Sequence, residues 1–157
     1  MDRTLIDRFE RAASDIRKAV AGLTPKQLKA RCEPGLWSVQ EVVVHLTDSD
    51  AIGIDRMKRV LTEDNPSLLC ADETAYIERL NPHEQTIEDA ILQFEVTRRQ
   101  FARVLRLLAD EDYRRSGTHN VAGELTMLDL LETYVDHVDH HLRFVAGKRA
   151  KLTGVNA

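Results

Sequence analysis

Cysteine is scarce: Cys32 and Cys70 stand far apart and belong to no CxxC pair. That excludes a zinc ribbon or a disulfide framework and leaves two unpaired thiols, as in a reducing compartment. An excess of basic charge is also missing. The 22 Lys and Arg residues are outnumbered by 26 Asp and Glu, for a net charge of −4, so the basic footprint of a nucleic-acid-binding protein is absent. Arg98-Arg99 and Arg114-Arg115 are tight pairs but not clusters. No apolar run approaches the roughly 18 residues of a membrane-spanning helix. Residues Met1–Glu10 carry charge at every second or third position instead of the apolar core of a signal peptide. The expectation is a cytoplasmic protein with a small-molecule substrate and no membrane or nucleic-acid partner. Strand-period alternation and internal repeats are lacking too.

What is present is helical periodicity. With 43% hydrophobic and 31% charged residues in a chain of 157, one domain with a real core is expected. In the first segment, Leu5, Ile6, Phe9, Ala13, Ile16, Val20 and Leu23 recur every three or four residues, predicting a helix over 3–23. Gly22 and Thr24-Pro25 end it, since proline cannot continue the ladder. A short helix over 26–30 is possible on this pattern. Ser38 followed by Glu41 forms a capping box that opens a second helix, running to about Thr62 with Val39, Val42, Val43, Leu46, Gly53, Met57, Val60 and Leu61 inward. Residues 64–85 are irregular, with Pro66 and Pro82 and room for a short helix over 72–80; so long a connection is usually functional or covers something. A third helix follows Thr86 and reaches about Leu108, burying Ile87, Ile91, Phe94, Phe101, Val104, Leu105 and Leu108. A polar linker spans 109–123. The fourth helix opens at Thr126, caps against Asp129 and stops near Gly147. Four long amphipathic segments make an all-α four-helix bundle over 1–150 the economical architecture, with a loose tail over 151–157. Bundle cores commonly hold metals between facing helices.

Three of six histidines fall within five residues of the fourth helix: His137, His140 and His141. At 100° per residue, His137 and His141 lie about 40° apart on the helix surface. They share a sector with Leu130, Tyr134 and Phe144, so both imidazoles point where apolar side chains point. Such a pair can bind one metal ion but needs a third ligand. His45, at the margin of the apolar side of the second helix, is the natural candidate, and three protein ligands with open positions mark catalytic zinc sites. The plain alternative is that each histidine is merely packed or exposed. His140 falls on the charged side, paired with Asp136; His83 is read as a surface residue and His119 as a linker residue that could reach the metal. Asp48, one turn beyond His45 and about 60° away, is a candidate proton carrier. Arg56 lies roughly 16 Å further along the axis, beyond direct coordination, and is read as a salt-bridging side chain rather than an anion clamp. Cys32 and Cys70 have no histidine near them in sequence, which makes either a remote candidate nucleophile.

The chain resembles the DinB/YfiT-like family. The resemblance rests on Trp37-Ser-Val-Gln-Glu-Val-Val-Val-His45-Leu-Thr-Asp48-Ser, Arg56-Met-Lys-Arg, Glu63-Asp-Asn-Pro66, His119-Asn-Val-Ala-Gly-Glu-Leu-Thr126 and the His137-x-x-His140-His141 run, in order over nearly the whole chain. It implies a four-helix bundle of non-standard topology with one divalent ion, commonly nickel or zinc, held by three histidines. Carried over by position, these are His45, His137 and His141. It also implies one of several activities: transfer of a low-molecular-weight thiol, with that thiol as cosubstrate, thiol-dependent isomerisation, or metal-dependent hydrolysis. Asp48 and His119 are then the candidate catalytic proton carriers. A metal-binding module without chemistry and a purely structural bundle are the alternatives. Family members are frequently dimeric, so a homodimer is a further expectation.

Overall fold

A computed structural model describes residues 2–154. Four long helices dominate it: α1 (Thr4–Val20), α3 (Val39–Thr62), α5 (Ile87–Leu107) and α6 (Met127–Thr153); α2 (Pro25–Lys29) and α4 (Glu73–Arg79) are short. The helix starts follow from local chemistry. Thr24 with Gln27, Ser38 with Glu41 and Thr126 with Asp129 each form a complete capping box, satisfying otherwise orphaned amides. Gly22, at φ +77°, turns the chain out of α1 in a conformation that costs glycine little.

Helices α1 and α3 each pack against both α5 and α6, while the α1–α3 and α5–α6 pairs make no comparable contact. The order around the bundle is therefore α1, α5, α3, α6, and α3 and α6 are neighbours. The core divides into two apolar clusters. One gathers Ile16, Val42, Val43, Leu46, Ile91, Phe94 and Val138; the other gathers Phe9, Met57, Val60, Phe101, Leu105, Leu130 and Leu131. Between them along α3 and α5 lie Asp50 and Arg98, both buried and joined by a 2.8 Å hydrogen bond from Arg98 Nε to Asp50 Oδ1. Arg98, half of one of the two tight arginine pairs, is 1% exposed.

Several sequence expectations need correction. The linker over 109–123 is not unstructured: β2 (Ser116–His119) and β3 (Gly123–Thr126) pair antiparallel, and β1 (Ser67–Leu68) joins β2 in parallel. Strands of two to four residues are too short to display an alternating pattern. Gly117 permits the close approach, because a Cβ there would lie 2.9 Å from the Pro66 carbonyl oxygen. Gly147 does not stop the last helix, which continues to Thr153 and ends at Gly154, φ +69°. Residues 151–153 of the expected tail are thus helical, and its residues 155–157 lie outside the described ones. Val104 and Phe144, expected inward, are 41% and 51% exposed. No helix among the described residues is long and apolar enough to cross a membrane.

Candidate metal centre

The α3–α6 contact sets the site. A Cβ on Gly53 would lie 2.3 Å from Cζ of Tyr134, so only the bare backbone of α3 admits the Tyr134 ring of α6. Two turns before Gly53 lies His45, and one turn after Tyr134 begins the pair His137 and His141. The three rings converge: centroids are 5.0 Å apart for His45–His137, 4.8 Å for His45–His141 and 4.6 Å for His137–His141. One nitrogen from each lies within 4.8 Å of the others. His45 Nε2 and His137 Nε2 are 3.1 Å apart, close to the roughly 3.3 Å edge that nitrogens at zinc-bond length make around a tetrahedral centre. Trp37 seals one side, its ring parallel to His141 at 6.4 Å and tilted against His45 at 4.9 Å.

Charge is disfavoured on all three rings. Burial, then the neighbouring imidazoles, lowers His45 to about 3. Burial and His141 foremost lower His137 to about 4, and burial with His140 and Lys148 does the same for His141. All three are neutral at pH 7, the form that donates a lone pair to a metal. Donor chemistry, spacing and protonation all fit a divalent ion.

Beside the triad opens a recess of about 80 Å³, walled by His45, Asp48, Arg56, Glu73, His119 and Tyr134, with Cys70 and Tyr76 at its side. The connection over 64–85 therefore covers the site. Glu73, which carried no signal in the sequence, stands 3.8 Å from His45 Nε2 through Oε2. Burial pushes the carboxyls of Asp48 and Glu73 above their ordinary range, Arg56 partly opposing this for Glu73. Cys70, distant from any histidine in sequence, shares the recess with two. An apolar groove of about 190 Å³ lies on the other side of the triad, between Trp37, Leu36, His141 and Phe144.

The other three histidines, His83, His119 and His140, lie outside the triad. His119 ends β2 and lines the recess; its Nδ1 accepts from the backbone amides of Val121 and Ala122 at 3.2 and 3.1 Å. His140 does not pair with Asp136, whose partner is Arg8 at 3.2 Å; its ring instead packs on Phe144 at 4.8 Å. His83 is half-buried, with Nε2 2.9 Å from the Ser38 hydroxyl, and so ties the connection to the start of α3. Arg56 makes no salt bridge among the described residues: its Nη1 donates to the Tyr134 hydroxyl at 2.8 Å and its Nη2 to the Leu69 carbonyl.

The comparisons agree with this architecture. Residues 8–145 match the DinB superfamily. A Geobacillus kaustophilus protein named "Putative metal-dependent hydrolase GK0616" is 30% identical over 139 residues, covering 88% of this chain and 78% of its own. A Bacillus cereus protein also named "Putative metal-dependent hydrolase" is 28% identical over 95% of this chain and 86% of its own. Among solved structures, YfiT from Bacillus subtilis, described as a probable metal-dependent hydrolase with an unusual four-helix bundle topology, superposes with a TM-score of 0.90 at 26% identity, covering 98% of this chain and 87% of that one. With the four-helix topology and the extent of these matches taken together, the chain belongs to the DinB superfamily.

Proposed function

We propose that this protein is a metal-dependent hydrolase whose single divalent ion, nickel or zinc, is held by His45, His137 and His141. The observation that carries this reading is the convergence of three neutral imidazoles beside a recess lined by the carboxyl groups of Asp48 and Glu73. The names of the relatives support hydrolysis over thiol transfer. A divalent ion supplies Lewis-acid activation of a coordinated water or thiol. The chain's own residues supply the proton chemistry. Glu73 and Asp48 are the bases: burial makes each carboxyl hold a proton more tightly than an exposed one, which suits it to take a proton from the attacking water and return it to the leaving group. His119 lines the same recess. With Nδ1 occupied by two amides, the neutral ring keeps its proton on Nε2 and acts as a hydrogen-bond donor.

Metal quantification on protein purified without chelators or a histidine tag tests the ligand set. Wild type is expected to carry about one ion per chain, and His137→Ala to lose it with the helical circular-dichroism signal intact; equal metal content in both would defeat the assignment. An ester panel assayed with and without a small thiol then separates hydrolysis, which needs no thiol, from thiol transfer.

A further inference from the structure

Arg56 stands out once the recess is mapped. Three turns of α3 separate it from His45, but side chains lean toward the helix N-terminus, and its long side chain shares the recess with His45. Two of its donors are spent on neutral acceptors, the Tyr134 hydroxyl and the Leu69 carbonyl. Its Nε–H is shielded from solvent and has no acceptor among the described residues. A donor left so is unfavourable unless something outside the chain satisfies it. The contrast with other guanidinium groups is direct: Arg98 meets Asp50 at 2.7 Å, and Arg31 Nε meets Glu41 at 3.0 Å. Asp48 and Glu73 line the same recess as Arg56, yet neither is within ion-pair distance of it among the described residues.

Two further donors stand beside this fixed charge. The neutral His119 ring has its proton on Nε2, because Nδ1 is held by the Val121 and Ala122 amides. The Tyr134 hydroxyl accepts from Arg56 and keeps a proton of its own to give. We infer that Arg56, His119 and Tyr134 form an oxyanion-binding subsite, which holds a carboxylate or phosphate group of the substrate while the scissile bond lies at the histidine triad. The guanidinium, always charged and fork-shaped, suits either oxyanion, and the recess has room for one such small group. The substrate is then an anionic ester or amide, not a neutral one. This rests on the metal-dependent reading of the same recess.

The test is calorimetric titration of zinc-loaded protein with inorganic phosphate and, separately, with acetate at constant ionic strength. Wild type is expected to bind at least one of them saturably, and the tighter of the two identifies the oxyanion. Arg56→Met should weaken that binding at least tenfold with zinc content unchanged, and Arg56→Lys should fall between. Because Arg56 also braces Tyr134, His119→Phe provides an independent variant that leaves the Arg56–Tyr134 bond in place; it should weaken binding severalfold. No saturable binding by wild type, or binding unchanged in both Arg56→Met and His119→Phe, overturns the subsite, since any anion would then sit on the metal alone. Should wild type prove unable to take up zinc, the metal-dependent reading falls by itself, and the same titrations on metal-free protein still decide whether Arg56 holds an oxyanion.

Discussion

His45, His137 and His141 resist protonation because burial strips their water and each imidazolium would face another imidazole. This has a sign that can be checked in metal-free protein. An unfolded histidine binds a proton near pH 6.5, whereas the folded rings do so only at about 3 to 4. Below pH 6.5 the unfolded state therefore holds more protons, and stability is lost as pH falls toward 4. The urea midpoint of metal-free protein is expected to drop between pH 7 and pH 5. Combining His45→Gln, His137→Gln and His141→Gln should flatten that slope; an unchanged slope would show that the rings are not buried together. The triad was legible as residue types at helical spacing, and Asp48 as a nearby carboxyl. Glu73 was not, since nothing in a seven-residue helix within an irregular stretch says which way its carboxylate faces.

At the scale of elements, the meeting of α3 and α6 depends on an absence. Gly53 leaves room for the Tyr134 ring at a distance no Cβ would allow, and Tyr134 is one turn from His137. Gly53→Ala should force the helices apart or the ring aside, costing about 1–3 kcal/mol as overpacking does. A lowered urea midpoint together with reduced metal occupancy would check both consequences; a variant equal to wild type in both would mean that this contact does not set the site. Helix starts were readable here because capping boxes are local: Ser38 with Glu41 and Thr126 with Asp129 act within four residues. The sheet was not, because its pairing joins Leu68 to His119 across the chain and its strands are shorter than any period they could show. His119 therefore read as a linker residue, although β2 delivers it to the recess.

Across the whole molecule, one side chain touches all four long helices. Arg98 of α5 binds Asp50 of α3 and donates to the Phe9 carbonyl of α1 at 3.1 Å and the Tyr134 carbonyl of α6 at 2.7 Å. Its guanidinium lies 4.1 and 4.4 Å from the Phe9 and Phe94 ring centroids. Arg98→Ala strands the Asp50 carboxylate in the core and should cost about 3–5 kcal/mol, whereas replacing both partners with apolar residues of similar volume should recover much of that loss. Thermal or urea unfolding of the single and double variants checks this, and a double variant no more stable than Arg98→Ala would mean that the pair contributes more than mutual neutralisation.

The amino-acid sequence alone determined the four long helices, the capping boxes that open α3 and α6, and the placing of three imidazoles toward apolar sectors, because period and capping act over a few residues. Only the tertiary structure decided which helices are neighbours, that Arg98 is buried rather than exposed, and that Glu73, His119 and Arg56 reach the triad's recess. Those outcomes depend on contacts between positions tens of residues apart, whose energies come from burial and pairing that no local pattern encodes.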